Sequence, residues 1–205
     1  MEGKIIWKSA CLSNMKKLFY IQIILCTLLL NPLFSFAQND DTEVLKTILH
    51  RYYKTEKPVY KGRSQLLYLY CNRANNNEEI FEAIKNRKLP DEFLNQIGTN
   101  VNTDFAEKDW SAELLSIYEN DQTKLQQKIN NCLSLEQYQE VSKRLNLNNQ
   151  RFMIISKPLY YPKGNLALVK VVFYRNIEHN SGSILLLEKT TSGWEIKEYL
   201  SPWAT

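Results

Sequence analysis

The side chains able to do chemistry are few in this chain of 205 residues, which has two histidines, His50 and His179. Histidine is the usual general base near neutral pH. His179 follows Glu178 inside a long connection, Asn176 to Ser183, and such connections between strands often carry binding features. No nucleophile or second base stands at a recognisable spacing from either histidine. Glu178 and His179 are therefore candidate binding residues, and no catalytic residue is assigned. Tyr160 and Tyr161 adjoin a turn, where rings tend to be exposed, and form the second candidate binding feature.

Metal and cofactor chemistry finds no support in the spacing. There is no C-x-x-C, H-E-x-x-H or aspartate-rich calcium loop. The six glycines are scattered rather than gathered into a phosphate cradle. No metal ligand and no cofactor are assigned. Lys54, Lys57, Lys61 and Arg63 surround Tyr60, a composition that can bind phosphate but more often marks a solvated loop.

The front of the chain reads as a leader. Lys4, Lys8, Lys16 and Lys17 precede an apolar run from Leu18 to Leu30, and Ser35-Phe36-Ala37 is a small-x-small cleavage site. Residues 1–37 are thus expected to be a signal peptide cut between Ala37 and Gln38, with Met1 or Met15 as the start. The alternative is an uncleaved membrane anchor, since Leu18 to Ala37 is long enough to span. Export to the periplasm or the medium is the expectation. Removing 37 residues from 205 leaves 168, enough for one domain. That remainder has 22 basic and 21 acidic residues, so charge gives no reason to expect a nucleic-acid partner. It retains two cysteines, Cys71 and Cys132. An even pair in an oxidising compartment reads as a disulfide, and two buried free thiols are the other reading.

Two kinds of pattern must position these residues. Residues 38–150 read as a mainly helical half. Asp41 reads as the N-cap of a helix whose apolar stripe is Val44, Leu45, Ile48, Leu49, Tyr52 and Tyr53, with His50 on the opposite face. Gln65 to Cys71 reads equally as a strand or a helical continuation. Asn75-Asn76-Asn77 opens a helix, Pro90 opens another, and Gly98 stops it. Trp110, Leu114, Ile117 and Tyr118 form a further stripe, and Ser134 with Gln137 forms a capping box. Residues 151–205 read as a four-strand antiparallel meander. In the strand Leu166 to Arg175, Ala167, Val169, Val171 and Phe173 fall on one face. Leu168, Val172 and Tyr174 fall on the other, interrupted by Lys170, so this strand should be central and covered on both sides. Thr190-Thr191-Ser192-Gly193 is a hairpin loop, and Trp194 to Leu200 an edge strand. The fold class is α+β, helices packed on the meander, in a single domain over 38–205.

The meander resembles uncharacterised exported proteins of flavobacterial-type Gram-negative bacteria. The residues that carry the resemblance are Ser156-Lys157-Pro158, Leu166-Ala-Leu-Val169, Val172-Phe-Tyr174, Ser181-Gly-Ser183, Leu185-Leu-Leu187 and Gly193-Trp-Glu-Ile196. It implies export and a β-meander, and no activity. Helices before a sheet containing Gly193-Trp194-Glu195-Ile196 also look like the cone-shaped NTF2-like class, which would imply a pocket holding a carboxylate or histidine. The first expectation is a non-catalytic binding domain whose partner is an envelope protein or a small ligand. An NTF2-like ligand carrier or small enzyme is the second, and a domain tethered by its leader the third.

Overall fold

The computed structural model describes residues 40–53, 68–101, 108–120, 125, 129, 132–145, 152–174 and 179–205. The leader, the cleavage site at Ala37 and Gln38, the basic stretch around Tyr60, and Glu178 lie outside the described residues. The compact unit runs from Asp41 to Thr205.

The meander is present. Strands β3 (Phe152–Ile155), β5 (Leu166–Tyr174), β6 (Asn180–Thr190) and β7 (Gly193–Ala204) follow one another antiparallel. The sheet extends past them with β1 (Tyr68–Tyr70), parallel to β3, and β2 (Cys132–Leu133), parallel to β1. The strand order is β2-β1-β3-β5-β6-β7, with the short β4 (Leu159–Tyr161) also paired to β5. Gln65 to Cys71 thus contributes a strand, and its parallel pairing follows from the long helical crossover between β1 and β3.

β3 and β4 are one strand interrupted at Ser156-Lys157-Pro158. Pro158 has no N–H for the ladder. Ser156 compensates: its N–H donates to Lys170 O at 2.9 Å, and its hydroxyl accepts the Lys170 N–H at 2.9 Å. β3 ends before the proline, and pairing with β5 resumes at Leu159.

Helices cover both faces of the sheet. Helix α1 (40–53) and helix α4 (Ser111–Asn120) lie on one face. Val44, Leu45, Ile48 and Leu49 meet Ala167, Val169 and Val171 there. Helices α2 (Asn77–Ile84) and α3 (Asp91–Thr99) lie on the other, where Ile80, Ile84, Phe93 and Ile97 meet Leu168, Ile184 and Leu186. Helix α5 (Leu135–Leu145) sets Tyr138 against Tyr68 and Phe152, the ring of Phe152 stacking at 4.5 Å. Phe152 alternates with Met153 along β3, so α5 shares the face of α2 and α3. The two apolar faces read from β5 are what this layering requires. Lys170 interrupts one face because its ammonium reaches Glu79 at the start of α2.

Local signals differ in how well they hold. The capping box forms as read: Ser134 N–H donates to Gln137 Oε1 at 2.9 Å, and Gln137 N–H to Ser134 Oγ at 3.2 Å. Asp41 lies inside α1 and does not cap it. Gly98 does not stop α3. It sits within that helix, where a Cβ would come 3.1 Å from Phe81 Cε2, so it permits α2 and α3 to cross closely. The β4–β5 turn places Asn165 at positive φ (51°). Gly193 does take positive φ (121°), as its hairpin requires.

Gly182 is the tightest glycine on the sheet: a Cβ would sit 2.8 Å from Val171 O and 2.9 Å from Trp203 Cε2. The carbonyl belongs to the ladder and cannot retreat. Gly182→Ala is expected to cost about 1–3 kcal/mol, the usual range for overpacking. A urea midpoint shift measures it, and an unchanged midpoint would show that β6 and β7 separate freely at that end.

Candidate functional site

The candidate site is a cleft of about 640 Å³ between α1 and the β6–β7 hairpin. Helical spacing places Glu43, Lys46, Thr47, His50 and Arg51 along the side of α1 that turns away from its buried stripe. The hairpin supplies Trp194, Glu195, Ile196 and Tyr199. Thr47 Oγ1 donates to Trp194 O at 2.9 Å and Arg51 Nε donates to Tyr199 Oη at 2.8 Å, tying the two walls together. That hydrogen bond raises the Arg51 pKa above its ordinary value. Trp194 is buried, whereas Tyr199 is 39% exposed and presents a ring beside charged groups of both signs.

Behind the cleft lies a buried ionic network. Tyr160, on β4, packs its ring 5.7 Å from that of Trp194 and donates its hydroxyl to Asp41 Oδ1 at 2.6 Å. Asp41 also pairs with Arg73, whose other guanidinium nitrogen meets Glu113 at 2.5 Å. Arg73 Nε donates to Asp109 O at 3.1 Å, and the guanidinium stacks over Trp110 at 4.2 Å. Its side chain is only 5% exposed. Burial disfavours the Arg73 charge, yet the hydrogen bond to Glu113 and the charges of Asp41 and Glu113 hold its pKa above the ordinary value. Glu113 Oε2 has no hydrogen-bond partner among the described residues. The network spans α1, the segment after β1, α4 and β4, and so sets where the Trp194 floor lies.

The sequence candidates fall in different places. Tyr160 and Tyr161 are not exposed turn residues. They form β4, and alternation sends them to opposite faces. Tyr161 stacks on Phe93 at 5.0 Å and donates to Glu92 at 3.3 Å. His179 is exposed just before β6. Tyr161 is opposite Leu166 and Asn180 opposite Tyr174, so the tyrosines and His179 sit at the two ends of β5, about 27 Å apart at ~3.4 Å per residue. They do not form one site. His50, placed on an outward helix face from its spacing, lines the cleft and is half-buried. Cys71 and Cys132 are bridged, with Cα atoms 4.7 Å apart. Among the described residues no cluster of three metal-ligating side chains occurs. Nor is any helix among them long and apolar enough to cross a membrane.

The fold and cleft define an α+β domain, stapled by a disulfide, with a mixed sheet between two helical layers. No protein-family model matches the chain, and neither a curated protein nor a solved structure is significantly similar to it.

Proposed function

We propose that this chain is an exported, non-catalytic binding domain of the cell envelope, and that its partner or ligand sits in the cleft between α1 and the β6–β7 hairpin. The observation that carries the site is the exposed Tyr199 ring, held by Arg51 at the mouth of the cleft. An amphipathic ring already oriented by a hydrogen bond adds contact area at little further entropic cost. The lining is balanced in charge, with Glu43 and Glu195 against Lys46 and Arg51. That balance favours contact through shape and hydrogen bonding over a strongly charged partner. Export is supported by the leader pattern and by the Cys71–Cys132 bridge, since disulfides persist in oxidising compartments.

Intact mass and photo-crosslinking from the native envelope test both halves. A mature chain beginning at Gln38 is expected, and a mass beginning at Met1 or Met15 would replace export of a free domain by a tethered one. A photoreactive side chain at position 199 is expected to capture a partner, while the same group at exposed Leu135 on α5 does not. In a chain that keeps Tyr199 and carries the photoreactive group at the cleft-lining position 195 instead, Arg51→Ala should weaken capture about tenfold, the loss of one hydrogen bond that orients a contact ring. Equal capture from positions 199 and 135 would remove the cleft as the site.

A further inference from the structure

The Cys71–Cys132 bridge lies at the β2 edge of the sheet, and its two sulfurs have different surroundings. Cys71 follows β1, and its backbone is held twice: its N–H donates to Leu133 O at 3.1 Å, and its carbonyl accepts the Trp110 N–H at 2.9 Å. Asn72 pairs with Asp109, and the Arg73 N–H donates to Lys108 O at 3.0 Å. Residues 71–73 thereby run beside residues 108–110, which sets the first turn of α4 against the bridge. Ser111, the first residue of α4, has its hydroxyl 3.6 Å from Cys132 Sγ. A bridged sulfur carries no proton, so the hydroxyl is the donor. The Ser111 N–H is taken by Asp109 Oδ1 at 3.1 Å, which caps α4 independently of that hydroxyl. Among the described residues no hydrogen-bond donor reaches Cys71 Sγ. Both cysteines are partly exposed.

We propose that this bridge is a thiol–disulfide exchange site, opened by a dithiol that attacks Cys71 Sγ and expels Cys132 as the thiolate. Exchange is faster when the departing sulfur is the better-stabilised thiolate. A hydrogen-bond donor and the positive end of a helix both favour negative charge, and both stand beside Cys132. The Asp109 carboxylate, at the same helix end, opposes them in part. In the first step a thiolate of the dithiol bonds to Cys71 Sγ while the S–S bond breaks and its electron pair stays on Cys132 Sγ. In the second, the other thiol of the reagent, as its thiolate, attacks its partner sulfur in the mixed disulfide and releases Cys71. The chain takes up two electrons and two protons as two thiols, and the dithiol leaves as its own disulfide. Opening releases β2, which among the described residues pairs only with β1, and with it the start of α5.

Reduced glutathione and dithiothreitol, each applied to the oxidised full chain without denaturant, test the assignment. Glutathione is a monothiol and halts at the mixed disulfide, so acid quenching and peptide mapping show which sulfur was attacked. It is expected on Cys71, with Cys132 free, in about tenfold excess over the reverse product. Dithiothreitol is expected to complete the reduction while circular dichroism shows the domain still folded. Ser111→Ala should slow the exchange about tenfold, the loss of one hydrogen bond to the departing thiolate, and bring the two mixed disulfides toward equal amounts. A merely structural Ser111 would leave that ratio unchanged. Asp109→Asn, which removes a negative charge beside the thiolate and keeps a capping side chain, should speed the exchange. Equal attack on the two sulfurs, or an unaltered ratio in Ser111→Ala, would overturn Cys132 as the leaving group. Reduction only at urea concentrations that unfold the domain would overturn the exchange site itself.

Discussion

Replacing Arg73 with methionine is expected to destabilise the domain by about 3–5 kcal/mol, the usual cost of removing one partner from a buried ion pair. The guanidinium is 5% exposed, and its two carboxylate partners, Asp41 and Glu113, are 19% and 6% exposed. Without Arg73 both carboxylates remain in the interior, and their hydration is not restored. Methionine keeps much of the volume over Trp110, so the loss reports charge more than packing. The double variant Arg73→Met with Glu113→Leu should recover part of the loss, because an apolar replacement of a buried pair is often tolerated. Arg73→Lys should fall between, since an ammonium cannot bridge two carboxylates and a carbonyl in the fixed geometry of a guanidinium. Urea unfolding monitored by tryptophan fluorescence measures all three. A loss below about 1 kcal/mol for Arg73→Met would place the pair in the range of solvent-screened surface bridges. The same variant should loosen Tyr160 from Asp41 and so disturb the Trp194 floor, weakening capture at the cleft even under conditions where the domain stays folded.

Removal of the Cys71–Cys132 bridge, by Cys71→Ser with Cys132→Ser, is expected to cost about 4 kcal/mol. The bond closes a separation of 61 residues, and the chain-entropy model gives roughly that figure. The local consequence should be uneven. β2 is two residues long and, among the described residues, pairs only with β1, so the disulfide is the main device seen to hold it at the sheet edge. α5 follows β2 directly through Ser134. Hydrogen exchange in the double variant should therefore rise first in β2 and α5, and last in β5 and β6 at the centre of the sheet. A uniform rise would show that the bridge acts on the unfolded chain alone. The Arg73 and cysteine losses should not add, because Trp110 N–H donates to Cys71 O at 2.9 Å and its ring carries the guanidinium.

The parts of the fold that were legible share one property: their signal lies within a few residues of chain. β5 alternates apolar residues on two faces, and both faces are covered. Val44, Leu45, Ile48, Leu49 and Tyr53 of the α1 stripe are buried as their spacing requires, with Tyr52 partly buried at its edge. Gly193 takes the positive φ that a bulge beside its hairpin loop requires. The candidate site was far less legible. Tyr160 looked exposed because it adjoins a turn, but its hydroxyl finds Asp41 across 119 positions of sequence. Arg73 carried no local mark at all. Its partners come from 32 positions before it and 40 after it, and no periodicity connects them. His50 looked outward from its helix alone, until the β6–β7 hairpin closed beside it. Gly98 read as a stop because glycine commonly ends helices, whereas its role here is the close passage of Phe81.

What the chain determines locally is therefore its alternation, its helical stripes, its caps and its tight turns, together with the balance of charge and the single pair of cysteines beyond residue 37. These follow from backbone sterics and from the burial of apolar faces, which act on near neighbours. Tertiary structure alone decided that β1 and β2 join the sheet in parallel, that Cys71 meets Cys132, that Arg73 sits between two carboxylates, and that α1 and β7 enclose a cleft. Each of those is a meeting of groups far apart in sequence. The energies that select such meetings, desolvation and ion pairing in a closed interior, exist only once the layers have packed.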